Sequence, residues 1–270
     1  MRLLLGCLIA LSSYVTVASA TTEIIMGYRT TAKMPYIHAE PSDDGFYFDL
    51  YDEAAKRIGA TLKVVRLPKL RVLHALEAGE IDFYPGFAFD EERAKYAYWV
   101  PNGTYQRDVA ITLKGRPLMT QATSLDGLTQ LVALGNPDYL VGRDTSQMDQ
   151  LTVSELDVGR AMTFLRRGRA DFYVYEEDTL RYFLKTEGSS DMMIHPQFVD
   201  RSSPSWAGFS RNSALFEGQE NPAYDPNLPL AWDNMPMRLV PGSVIDEFQQ
   251  ALHQMEMEGW TQALYRKYFE

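Results

Sequence analysis

Apolar positions along this chain alternate between two rhythms. Glu23–Tyr28 (EIIMGY) and Thr61–Arg66 (TLKVVR) are short runs of strand character. Between them Leu50, Ala54 and Ile58 recur at helical spacing, with Asp49 placed to cap the helix and Gly59 to end it. A second helix carries Leu70, Leu73 and Leu76 up to Gly79, and the strand Ile81–Tyr84 starts at once. This strand–helix–strand–helix–strand order predicts a mostly parallel sheet. Further on, Val109–Leu113 and Leu131–Leu134 have strand character, and Val158–Arg167 is a helix with Ala161, Phe164 and Leu165 on one face. The strand Asp171–Tyr175, a helix around Leu180–Leu184 and a returning strand Trp206–Ser210 follow. Ser243-x-x-Asp246 opens a helix that presents Val244, Phe248, Leu252 and Met255, Gly259 ends it, and a last helix carries Leu264, Tyr265 and Tyr268.

One phrase, Leu-x-x-Gly-x-(Ile/Ala)-Asp-Phe-Tyr, occurs at Leu76–Tyr84 and again at Leu165–Tyr173. Each copy is a helix end, a glycine and a strand. A separation of this size is too long for a solenoid repeat of about 20–50 residues. It predicts two related α/β lobes with a cleft between them. The expected division is 21–110 for the first part of lobe 1, 111–205 for lobe 2, and 206–270 for the return to lobe 1. Within the return, Glu217–Met237 breaks the rhythm with Pro222, Pro226, Pro229 and Pro236, and a loop this long is often a lid or a contact surface.

Residues 1–20 have the form of an export signal: Arg2, a largely apolar stretch Leu3–Val17, and Ala18-Ser19-Ala20 as the cleavage site. The expected location is the periplasm. Cys7 is the single cysteine and leaves with that segment, so the exported chain relies on its core alone. The net charge of −10 disfavours nucleic acid as a partner. His38, His74, His195 and His253 are scattered, and no phosphate loop, nucleophile elbow or dinucleotide fingerprint is present. Binding is therefore favoured over catalysis, with no cofactor, no metal and a monomeric chain as the expectation.

Several phrases occur together in a telling order. A strand is followed by Pro35-Tyr36, Gly45-Phe46-Tyr47-Phe48-Asp49-Leu50, Ala55-Lys56-Arg57-Ile58-Gly59, the first repeat phrase, Glu92-Arg93 and Gly259-Trp260…Tyr265-Arg266-Lys267-Tyr268-Phe269. This resembles the periplasmic solute-binding proteins of family 3, the polar amino acid type. The resemblance implies a type II periplasmic-binding-protein-like α/β fold, with two lobes, two crossing strands and a clamped ligand. It also implies that Arg93 holds the ligand's carboxylate, which suits a planar fork of donors, and that Glu176 holds its ammonium group. The small hydroxyl residues usual before that arginine are replaced by Tyr84-Pro85-Gly86-Phe87-Ala88-Phe89, and Gly-Thr/Ser in the second lobe by Gly135-Asn136. A cleft containing Tyr28, Tyr36, Tyr84, Phe87 and Tyr105 would favour a planar or apolar ligand, or a cation over a ring face. The resemblance implies a membrane permease as partner. Two alternatives stay open: a stand-alone sensor that docks to a membrane receptor, and a cyclohexadienyl-dehydratase-like enzyme using Arg93 and Glu176.

Overall fold

The computed structural model describes residues 21–199 and 202–270; the export signal expected at 1–20 lies outside them. In the first lobe, β1 (Glu23–Arg29) pairs in parallel with β2 (Thr61–Leu67) and β3 (Phe83–Pro85), with α1 (Phe46–Arg57) and α2 (Lys69–Ala78) packed on the strands. The 17-residue β4 (Ala97–Leu113) then runs out of this lobe into the second. There β5 (Thr129–Ala133) pairs in parallel with β6 (Asp149–Val153) and β7 (Phe172–Glu176). Helices α3 (Val158–Arg166) and α4 (Glu177–Thr186) and strand β8 (Met192–His195) complete the lobe. Strand β9 (Ser202–Ser210) returns antiparallel to β4 and reaches β3. The sheet order is therefore β2-β1-β3-β9-β4-β7-β5-β6, with β8 on β4. Only β4 and β9 carry the sheet from one lobe to the other among the described residues.

A hairpin, β10 (Gly218–Glu220) with β11 (Met237–Leu239), closes the base of the proline-rich segment. Helices α5 (Val244–Met257) and α6 (Trp260–Phe269) pack back on the first lobe beside α1. Its core is aromatic: Phe83 stacks on Phe209 at 4.9 Å, and Phe248 and Tyr51 close the group. Truncating any one of these rings would cost about 3–5 kcal/mol. The second lobe has its own aliphatic core around Ile111, Leu131, Leu165 and Leu180.

The repeated phrase performs the same task twice. Gly79 and Gly168 take left-handed backbone (φ 76° and 62°) directly after a helix. The following aspartate then clips its strand to the parallel neighbour. Asp82 accepts the Ile25 N–H at 2.7 Å, while its own N–H donates to the Ile25 carbonyl. Asp171 treats Thr129 in the same way, with 2.7 and 2.8 Å contacts.

Four expectations need correction. Helix α1 starts at Phe46, so Asp49 lies in its first turn and is not its cap. The start is set by Gly45, where a Cβ would stand 2.3 Å from the Tyr36 carbonyl oxygen, and Asp49 instead receives hydrogen bonds from Lys267 and Tyr268. Helix α2 buries Val72, Ala75 and Leu76, leaving Leu70 exposed. Ser243 precedes α5, but its hydroxyl caps nothing; Asp246 accepts the Gly242 N–H at 2.8 Å in its place. The segment 217–237 is a built hairpin, described below.

Candidate functional site

The carboxyl ends of β1, β3 and β7 meet at the seam between the lobes, the position where open parallel sheets offer a crevice. A cavity of about 40 Å³ lies there, bounded by side chains from both lobes. Arg29 enters it from the end of β1, Lys33 from the following loop, Lys69 from the start of α2, and Arg93 from the 3-10 turn Arg93–Lys95. Glu176, the last residue of β7, and Asp108 on β4 face them. The cavity is thus rich in cations although the whole chain is acidic.

Arg29 is only 5 % exposed. It donates to the carbonyls of Thr31, Ala32 and Leu156, to the Thr31 hydroxyl, and to the Tyr175 hydroxyl at 3.2 Å. Arg93 lies over the Phe87 ring, donating at 2.9 Å to the Ala88 carbonyl and at 3.1 Å to that of Gly135 in the second lobe. Neither guanidinium has a carboxylate partner among the described residues. Lys69 donates to the Asn136 side-chain carbonyl, while the Asn136 Nδ2 is buried without a hydrogen-bond partner. Burial, with Arg29, Arg93 and Lys33 close by, lowers the Lys69 ammonium to about 7.

Lys33 is engaged differently. Its Nζ stands 2.6 Å from Glu176 Oε1, joining the lobes, and faces the rings of Tyr36, Tyr47 and Tyr175 at 5.1–6.0 Å. Burial is the largest single influence and would lower this lysine's pKa, but the Glu176 charge and hydrogen bond together with the Tyr47 and Tyr175 hydroxyls outweigh it, and the net shift is upward. An internal ammonium therefore occupies the carboxylate that the resemblance assigned to a ligand's ammonium.

The residues expected at the site separate into two groups. Arg93, Glu176, Tyr84 and Phe87 line the cavity. Tyr28 is buried in the first lobe's core with Arg66 over its ring, and Tyr105 is 65 % exposed on β4. Tyr36 sits behind Lys33 and donates to Asp178 at 3.2 Å. Sequence reasoning missed Arg29, Lys33 and Lys69. A usable signal was their position: Arg29 ends the first strand, and Lys69 follows the second, both at the carboxyl edge of the sheet. His195 is fully buried away from the cavity, accepting the Met119 N–H at Nδ1 and meeting the Thr112 hydroxyl at Nε2. Burial lowers its pKa.

Two α/β lobes, a two-strand crossover and a charged cavity at the seam define a bilobal ligand-binding protein. The chain belongs to the bacterial extracellular solute-binding proteins, family 3, whose model matches residues 24–270. No curated protein sequence matches it. Among solved structures it resembles one from a study of glutathione import by GshT and TcyBC of Streptococcus mutans, with a TM-score of 0.72 and 13 % identity over 93 % of this chain and 95 % of that one. A histidine kinase sensor domain with similarity to periplasmic binding proteins matches at TM-score 0.69 and 15 % identity, covering 92 % and 96 %. The substrate-binding protein of an amino acid ABC transporter matches at 0.67 and 19 %, covering 92 % and 99 %. Among the described residues no helix is long and apolar enough to cross a membrane, and no cluster of three or more His, Cys, Asp or Glu side chains has a metal-holding arrangement.

Proposed function

We propose that this protein captures a small carboxylate-bearing solute between its lobes and delivers it to a membrane permease. We place it in the periplasm, exported by the segment 1–20. The observation that carries the reading is Arg29, a buried guanidinium at the cavity with no acidic partner among the described residues. A buried cation without a counter-charge is costly unless something anionic joins it, and Arg93 and Lys69 add to the same field. Glu176 is held by Lys33, which favours an acid over an amino acid whose ammonium group would need that carboxylate. The pairing with Lys33 also occupies the carboxylate that the dehydratase reading would use, which disfavours that reading.

The test is titration calorimetry with a panel of small acids, together with Arg29→Met and Arg93→Gln. A ligand present at 100 times its Kd should add about 2.7 kcal/mol of stability, and both variants should weaken binding by about tenfold or more. Binding unchanged in both variants would remove this cluster from the site. A sensory role uses the same capture and docks to a membrane receptor instead. The exposed Leu228 on the hairpin favours that second reading, and Leu228→Glu with ligand affinity retained but signalling lost would support it.

A further inference from the structure

The cavity at the seam continues into a much larger groove. This groove has a volume of about 770 Å³ and shares Ala88, Gln106, Asp108, Pro137 and Tyr139 with the cavity. Its walls come from three places. Trp206 on β9 and Trp232 on the proline-rich hairpin form a tilted pair with ring centres 4.6 Å apart, and Leu230 and Phe89 extend that apolar wall. On the second lobe, Arg143 lies over the Phe198 ring at 4.3 Å and is fixed by donating to the Thr123 carbonyl at 2.7 Å.

The hairpin wall is constructed. Asn234 is 9 % exposed; its amide donates at 3.0 Å to the Asp225 and Pro229 carbonyls, and its side-chain oxygen accepts the Asp225 N–H. Asn221 donates to the Met235 carbonyl at 2.8 Å. These bonds set the loop so that Leu230, Ala231 and Trp232 line the groove, while Trp232 stays 44 % exposed and open to contact. A half-exposed indole tilted against a buried one offers an apolar face.

We propose that the ligand is a carboxylate extended by a planar aromatic group, with its anionic end in the Arg29–Lys69–Arg93 cavity and its ring against Trp232 and Trp206. This rests on the carboxylate reading above and deepens it. The two volumes support it: a cavity of about 40 Å³ takes only a small head group, and the bulk of a ligand then has the adjoining groove to occupy. Charge supports it as well, because four cations gather in the cavity, whereas Arg143 is the cation on the groove's lining and lies over the Phe198 ring. The hairpin that breaks the α/β rhythm thereby acquires a role as the specificity wall of the cleft.

The experiment measures Kd by calorimetry for matched pairs that share a carboxylate and differ in the ring: benzoylglycine with acetylglycine, phenylpyruvate with pyruvate, phenylacetate with acetate. In the wild-type protein at least one aryl member should bind about tenfold or more tighter than its partner. Trp232→Ala should erase that advantage while leaving the short acid unchanged, and Trp232→Phe should keep most of it. Arg93→Gln should weaken both members equally. Short and aryl acids of equal affinity, both sensitive to Arg93→Gln and indifferent to Trp232→Ala, would overturn the groove and leave the carboxylate head standing. An aryl advantage that persists in Trp232→Ala would also overturn it. No binding by any member would overturn both readings.

Discussion

Replacing Lys33 by methionine asks whether the two lobes are held together from within. The Lys33–Glu176 pair is 2.6 Å long, its side chains are 7 % and 9 % exposed, and it spans the seam. Removing one partner of a buried pair costs about 3–5 kcal/mol, because the surviving charge is left uncompensated. The loss should be unequal on the two sides. Without Lys33, Glu176 keeps the Thr179 hydroxyl at 3.4 Å and still shares the cavity with Arg29, Lys69 and Arg93. Without Glu176, Lys33 keeps the ring faces of Tyr36 and Tyr47 in its own lobe, and each such face contributes about 0.5–2 kcal/mol to a desolvated cation. Even so, Lys33 is then left without its carboxylate partner beside Arg29, Lys69 and Arg93, so Glu176→Gln should destabilise more than Lys33→Met.

For a chain of this size 1 kcal/mol corresponds to about 2–4 °C, so Lys33→Met should melt roughly 6–20 °C below the wild type. The double variant Lys33→Met/Glu176→Gln removes both charges and should recover part of that loss. Circular dichroism melts and urea titrations of the four proteins complete the cycle. A Lys33→Met midpoint within about 2 °C of the wild type would mean that Glu176 regains water without cost. The lobes would then part freely, and the internal latch would be refuted. A larger penalty for Lys33→Met than for Glu176→Gln would refute the account of the asymmetry.

Other expectations follow from the same geometry. The Lys69 pKa falls from the ordinary 10.5 to about 7 in the folded chain. The folded state therefore loses this proton first as pH rises from about 7 towards 10, and stability should increase across that window. Affinity for an anion should run the other way, weakening by up to about tenfold per pH unit above 7, and Lys69→Met should flatten both profiles. Asp82→Ala strands the partly buried N–H of Ile25 and the buried hydroxyl of Ser213, a loss of about 2–3 kcal/mol in urea titration. Asp171→Ala, at a more exposed clip, should cost less, and equal costs would contradict the burial argument. Asn234→Ala should open the hairpin to limited proteolysis within 221–236 while moving the global midpoint by less than about 2 °C. Unchanged cleavage would show that Asn234 does not order the loop.

Local chemistry explains which parts of this architecture were legible in the sequence. The repeated phrase stands out because its glycine and aspartate answer backbone demands that few other residues meet. The first half of β4 was not legible, since Pro101-Asn102-Gly103-Thr104 interrupts any strand pattern. The structure accommodates this with a register shift between Pro101 and Tyr105, and with Asn102 buried against the Tyr51 and Ser205 hydroxyls. Strands β6 and β8 were missed, and β8 carries a histidine whose burial only the assembled second lobe explains. The order of family phrases pointed to Arg93 and Glu176. Arg29, Lys33 and Lys69 lie 4 and 36 positions apart in no motif, and only the meeting of strand ends with a helix start brings them together.

The two copies of the phrase also show how a near-symmetric scaffold yields an asymmetric cavity. After Asp-Phe-Tyr the first copy continues Pro85-Gly86 and the second Val174-Tyr175-Glu176. Pro85 ends β3, and the next two N–H groups, of Gly86 and Phe87, turn to the Trp206 carbonyl. The chain therefore leaves the sheet and reaches the 3-10 turn that places Arg93 over Phe87. With valine in place of proline, β7 runs on to Glu176 and passes directly into α4. One copy thus delivers a cation to the seam by a loop, and the other delivers a carboxylate at a strand end. Lys33 then engages that carboxylate, so Arg29, Lys69 and Arg93 outnumber Asp108, the other acid on the cavity's lining. A proline-to-valine exchange at position 85 would extend β3 and pull Arg93 out of register with the Gly135 carbonyl. The expected result is weaker binding of every carboxylate with little loss of stability. Full affinity in Pro85→Val would show that the turn is fixed by the Trp206 carbonyl alone.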